Sequence, residues 1–207
     1  MISKLEKLRP NFQARELRRI IPRDCRILLD VGCGENSVAR HISGIDEKIG
    51  IDIFPEAVKK SKESGIHNKY FCDDVRKIGE LFQPKSIDCV MAMDLVEHLD
   101  KQEALDLIGK MEKIGKKVVI IQTTNGFFPQ GEYASNPCQV HKCGFSVKDF
   151  RSRGYKVLGM DGPKFLRKKS FSEPEAGMAI SILANLLDPI FRFIPEKSFN
   201  LLAYKKL

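Results

Sequence analysis

Long apolar runs are scarce in this chain. The longest, Ala176 to Leu187, is stopped by Asp188 and Pro189 and falls short of the roughly 18–20 residues that a membrane span needs. No transmembrane helix is therefore expected. Nothing near Met1 has the apolar core of a signal peptide. Cysteine is not rare, but the six at 25, 33, 72, 89, 138 and 143 have no regular spacing, which excludes a disulfide framework and predicts reduced thiols in a cytoplasmic protein. Internal repeats and low-complexity tracts are also missing, so the chain is neither fibrous nor disordered.

What is present suits one domain with a substantial core: 207 residues, 43% of them apolar and 30% charged. The net charge of +8 hides a division along the chain. Residues 1–26 carry 8 basic and 3 acidic groups, residues 27–139 carry 14 and 18, and residues 140–207 carry 13 and 6. The middle is acidic, so what it binds need not be the polyanion that the total suggests.

Strand-like runs at 26–31, 48–53, 68–72, 87–93 and 117–123 alternate with helix-like segments near 36–43, 55–64 and 100–113. Strands separated by helices imply parallel crossovers and a sheet covered on both faces. Pro55 followed by Glu56 suits the first turn of a helix. A loop of about 124–145 follows the fifth strand, long enough to be a lid or binding loop. Ser146 opens a capping-box-like helix start that Gly154 ends. Residues 155–160 and 199–204 read as strands, with a helical cap inserted between them.

The most informative segment is R-I-L-L-D-V-G-C-G-E-N-S, residues 26–37. A strand running into Gly32-x-Gly34 lets backbone approach a ligand where a side chain would obstruct it. Asp30 and Glu35 flank that turn and would repel a pyrophosphate, whereas a ligand bearing an ammonium group fits. The second strand, K-I-G-I-D-I-F, ends in Asp52, where a carboxylate can accept from both hydroxyls of a ribose. The pattern calls for a positively charged nucleoside.

Across residues 25–160, L-L-D-V-G-C-G with G-I-D-I-F-P-E-A-V resembles the class I, Rossmann-like methyltransferases that use S-adenosylmethionine. Asn36 stands where that pattern has its third glycine, and asparagine tolerates unusual backbone angles better than most residues. F-C-D-D-V resembles the family's third motif, which makes Asp74 the first choice and Asp73 the second for the adenine amino group. S-I-D-C-V-M-A-M-D-L-V-E-H-L resembles the fourth strand and its turn, in a form common to enzymes of small molecules, lipids and glycans. The resemblance places Met93 and Asp94 beside the methionine part of the cofactor, and Ile53 beside Asp52 in the nucleoside site. It implies an α/β, seven-stranded, mostly parallel sheet with an antiparallel last strand. The expected organisation is a helical segment over 1–25, a cofactor core over 26–160, a helical cap over 161–198 and a last strand over 199–207.

Methyl transfer from a sulfonium needs chiefly orientation, because the donor is already activated. A hydroxyl acceptor would add the need for a general base, for which histidine is suited near neutral pH. His41 and His67 read as structural or exposed. His98, just beyond the fourth strand, and His141, in the long loop, are the catalytic candidates; their alternative role is to order a loop. Cys138, His141 and Cys143 lack paired C-x-x-C spacing and a fourth ligand, so no metal is expected.

An amphipathic helix is expected in the basic N-terminal flank, around Phe12, Leu17, Ile20 and Ile21. In the other flank, K-F-L-R-K-K (164–169) before an apolar stretch suits an anionic membrane surface or an amphiphilic acceptor, with the protein peripheral at the membrane. The competing readings are an RNA methyltransferase using its basic flanks, although no N-P-P-Y-type tetrapeptide follows a strand, and a non-catalytic cofactor-binding module.

Overall fold

The computed structural model describes residues 12–132, 136–167, 180 and 182–207. The apolar runs form the strands β1 (Ile27–Val31), β2 (Glu47–Asp52), β3 (Lys69–Cys72), β4 (Ile87–Met93), β5 (Gly115–Thr124), β6 (Lys156–Pro163) and β7 (Ser198–Lys206). Their order in the sheet is β3-β2-β1-β4-β5-β7-β6. The first five are parallel, and β7 runs antiparallel between β5 and β6. This is the expected seven-stranded Rossmann-like architecture. Strand order reverses between β1 and β4, and open α/β sheets bind ligands in the crevice at such a reversal.

Alternate residues of the central strands face two separate cores. On one face, Ala104, Leu107, Ile108 and Met111 of helix α4 (Lys101–Ile114), spaced three and four apart, pack with Leu29, Val90 and Ile121. The stacked rings of Phe145 and Phe150, 5.3 Å apart, extend that core beneath helix α5 (Val147–Arg151). On the other face lies the expected N-terminal amphipathic helix, α1 (Phe12–Ile20), with Leu17 and Ile20 over Leu28, Met91, Ile120 and Leu202. Its buried Glu16 accepts from Arg19 at 2.8 Å and from Arg192 of the inserted segment at 2.9 Å. Helix α2 (Pro55–Glu63) starts at the expected proline, and α3 (Ile78–Leu81) is a short turn before β4.

Three expectations need correction. The helix near 36–43 is only a 3-10 turn, Val38–His41. Ser37 caps it by accepting from Ala39 N, and Arg18 of α1 closes its other end by donating to His41 O at 2.9 and 3.0 Å. Asn36 does not adopt the left-handed backbone, which among non-glycine described residues is confined to Lys85, Asp94 and Asp161; its side chain instead accepts from Arg40 at 2.9 Å. Finally, β6 continues past 160 through a register shift to Pro163, with Asp161 and Gly162 both at positive φ. Proline is tolerated there because β6 is an edge strand.

The insertion therefore starts after Pro163. Residues 164–167 and 182–186 are helical, followed by α6 (Asp188–Phe191) and a 3-10 turn, Pro195–Lys197. A Cβ on Gly162 would meet Ala184 O at 2.2 Å, so the insertion rests directly on the end of β6. Within K-F-L-R-K-K, Lys164 donates to Asn125 O, and Arg167 is buried against Asp161 O at 3.1 Å. Residues 168 and 169, and 176–179 and 181 of the apolar stretch, lie outside the described residues.

Candidate active site

The turn after β1 is bound to β2 by main-chain hydrogen bonds. Gly32 N and Cys33 N both donate to Ile51 O, at 2.8 and 3.0 Å, and Gly34 N donates to Asp52 Oδ2 at 2.9 Å. Gly32 and Gly34 have φ of +71° and +54°, a conformation glycine adopts without strain. A Cβ on Gly32 would come within 2.7 Å of Leu95, whereas one on Gly34 would stand in open space. The turn thus leaves a bare backbone cradle at the reversal point.

Asp30 is fully buried at the end of β1. Its Oδ2 accepts from His67 Nε2 at 2.9 Å and from Ser37 Oγ, while Oδ1 has no hydrogen-bond partner. His67 is therefore structural as expected, but buried behind the carboxylate it orients. Asp52 uses each oxygen once, accepting from Phe54 N and Gly34 N at 2.9 Å. Burial pushes its carboxyl up, and those two backbone bonds oppose the rise.

Two cavities meet at this edge. The first, about 270 Å³, is bounded by Asp52, Ile53, Asp74, Leu95 and His98, and roofed by Asn136–Gln139. The second, about 320 Å³, contains Asp30, Ser37, Met93 and Gln13. Gly32, Gly34, Asp94 and Gln139 belong to both walls. Of the two adjacent acidic residues, Asp74 lies in the first wall and caps the turn at Val75–Lys77, with Arg76 paired to it at 2.6 Å. The carboxylate of Asp73 is taken by Asp74 N and Lys77.

The catalytic candidates are brought together. His98 and His141 lie edge-to-face with ring centroids 4.8 Å apart. His98 Nδ1 contacts Val140 O at 3.3 Å, and His141 Nδ1 contacts Phe128 O at 2.7 Å. His98 reaches the first cavity with His141 behind it. Burial pushes His98 down from the ordinary histidine range, so neutral imidazole predominates at pH 7. Beside them, burial and the Asp94 charge raise buried Glu97 to about 8, and its Oε2 is unpartnered. Asp94 is exposed in the wall that both cavities share. The surrounding protein pushes its carboxyl up to about 6, against a hydrogen bond from Gln122.

The loop predicted as a lid thus supplies the roof. It is tied down where Lys142 N and Cys143 N donate to Glu97 O at 2.8 and 3.2 Å, and Cys143 Sγ to Val96 O at 3.4 Å. Cys138 is exposed, Cys143 buried, and no three metal-ligating side chains converge among the described residues. Ser37, Gln13, Gln122 and Gln139 were not foreseen, nor was the contact of His67 with Asp30. Only the loop residues carried a signal, since Asn-Pro at 136–137 suits a capped turn, and Asn136 does accept from Cys138 N at 2.9 Å.

Residues 29–120, from β1 into β5, match the model of a family described as a methyltransferase domain. No curated protein matches the chain. Among solved structures, a SAM-dependent methyltransferase from Archaeoglobus fulgidus superposes with a TM-score of 0.63 at 20% identity, covering 95% of this chain and 93% of that one. A phosphoethanolamine N-methyltransferase 2 from Haemonchus contortus, in complex with S-adenosyl-L-methionine, gives 0.60 at 16% identity, over 94% of this chain and 52% of that one. The magnesium protoporphyrin IX methyltransferase of Synechocystis PCC 6803 with bound SAM gives 0.53 at 16%, over 74% of each. Motifs, domain match and fold agree: residues 29–120 match a methyltransferase domain, and the chain has the class I, Rossmann-like fold of the S-adenosylmethionine-dependent methyltransferases it superposes on.

Proposed function

We propose that the protein transfers a methyl group from S-adenosylmethionine to a small, amphiphilic acceptor. The observation that carries this reading is the unpartnered, buried Oδ1 of Asp30, one strand from Asp52, beside a bare glycine cradle. A buried acceptor with no donor is costly unless a ligand supplies one, and an ammonium group does. When bound, the cofactor supplies a methyl group on a sulfonium, already activated for in-line displacement by the acceptor's nucleophile.

The chain's own groups hold and align. Asp30 Oδ1 accepts from the ammonium group. Gly32 and Gly34 admit the nucleoside backbone-close, and Asp52 keeps lone pairs on both oxygens for the ribose hydroxyls. Ile53, 45% exposed, offers an apolar face for the adenine, and Asp74, in preference to Asp73, an acceptor for its amino group. Met93 and Asp94 border the methionine half. His98, held neutral, takes a proton from a hydroxyl acceptor, and His141 positions it through their ring contact.

On the insertion, Phe165, Leu183, Leu186, Ile190 and Phe193 are exposed. These apolar side chains support a protein that sits peripherally on a membrane, which the basic composition of the flank would make an anionic one. No helix among the described residues is long and apolar enough to cross one. Flotation with anionic liposomes at low salt tests this; no binding would remove the membrane from the proposal.

The donor site is tested by calorimetry with S-adenosylhomocysteine. We expect one site per chain, and no detectable heat would overturn the reading. Product formation with phosphate-bearing and hydroxyl-bearing amphiphiles then separates an enzyme from a binding module.

A further inference from the structure

Gln122 belongs to no motif, is 109 residues from its partner on α1, and is 2% exposed. Its Nε2 donates to both oxygens of Asp94, at 3.2 and 3.1 Å, and its Oε1 accepts from Gln13 Nε2 at 2.9 Å. The main chain repeats the grip, since Asp94 N donates to Gln122 O at 3.0 Å. A carboxylate only accepts, so the amide has one workable direction: its NH2 toward Asp94 and its oxygen toward Gln13. Asp94 stands at φ +52° directly after β4, a backbone region uncommon for residues other than glycine and costly unless the surroundings hold it. It is also the one charged residue shared by the walls of both cavities.

We propose that Gln122, braced by Gln13, is a positioning residue that holds the Asp94 carboxylate in one direction where the donor's methionine half meets the acceptor. The consequence for the reaction rests on the methyl-transfer reading above; the hydrogen-bond chain itself does not. The setting around Asp94 makes such a brace necessary. Glu97 and His98 follow it on the next turn, Asp161 faces it from β6, Asp30 and His41 share the second cavity, and Glu16 of α1 is already paired with Arg19 and Arg192. The protein atoms packed around it and the Asp161 charge both favour the protonated carboxyl, and the Gln122 amide opposes them. Removing the amide leaves a carboxyl that is increasingly neutral near pH 7 and free to turn.

The experiment follows the Asp94 carboxyl by 13C NMR in the cofactor-free protein, with Asp94→Asn to assign the signal. A midpoint near 6 is expected. Gln122→Met should move it up by about 0.5 pH or more, and Gln13→Leu by less in the same direction. An unchanged midpoint in a folded Gln122→Met protein would overturn the proposal. Should that variant not fold, Gln13→Leu, on the half-buried face of α1, decides: an upward shift supports the brace and none refutes it. Because no cofactor is present, the result stands apart from whether S-adenosylhomocysteine binds.

Discussion

The two halves of the proposed site are built differently. On the cofactor side, residues 30–37 and 50–54 are joined largely through the main chain, with Gly32, Cys33 and Gly34 donating to Ile51 and Asp52. On the acceptor side the links run between distant side chains and loops: Gln13 to Gln122, His98 to His141, Asn125 to 195–198. Main-chain links depend little on residue identity apart from the glycines, so the cofactor half is fixed by a short motif. Side-chain links can each be lost by one substitution.

Kinetics should show the largest separation. If His98 is the general base, His98→Ala lowers kcat by about 100-fold or more while S-adenosylhomocysteine affinity stays within about twofold. Equal losses in both would assign His98 to the cofactor half. Asp52→Ala should reverse the pattern. Losing hydrogen bonds to a carboxylate, each about 1.5–3 kcal/mol, weakens nucleoside affinity by at least about tenfold in calorimetry, and an unchanged affinity would misplace the ribose.

Stability sharpens the same contrast. Asn125 Nδ2 contacts the carbonyls of Pro195, Glu196 and Ser198 at 3.0, 3.1 and 2.9 Å. Asn125→Ala should cost about 1–3 kcal/mol in denaturant unfolding without altering nucleoside affinity; a loss of affinity would show the halves to be coupled. Buried Glu97 provides the pH dependence. Its carboxyl is raised from an ordinary 4.5 to about 8, so the folded state binds the extra proton and wild-type stability falls as pH rises from about 4.5 towards 8. Glu97→Gln should therefore have the higher Tm at pH 8, with the gap narrowing towards pH 5. Smallest is the pH profile: with His98 pushed below the usual histidine range, half-maximal kcat should lie below about pH 6.5.

This contrast explains what the sequence made legible. Apolar runs marked all seven strands, most clearly the central ones, because strands buried on both faces must be apolar. Asp30, Gly32, Gly34 and Asp52 could be located because their geometry comes from neighbouring residues. The 36–43 segment misled because one side chain, Ser37, turns the chain towards Asp30 and leaves room for a single 3-10 turn. His98 and His141 were visible as residues, but not their contact across 43 positions. The Gln13–Gln122–Asp94 chain left no trace in spacing, since its members come from three separate elements.

One feature of the sheet bears on how such a protein diversifies. Pro163 and Ser198 are partners in the β6–β7 ladder, so the segment between them leaves and re-enters the fold at one point. Closing a loop whose ends already meet depends only logarithmically on its length, roughly 0.6 kcal/mol per doubling. A change in the length of that segment therefore costs little in loop closure, provided the contacts of Lys164, Asp188, Arg192, Pro195 and Glu196 with the rest of the fold are kept. On the reading proposed above, variation in length between those anchors is where evolution, or an engineer, would retarget the acceptor while leaving the donor site unchanged.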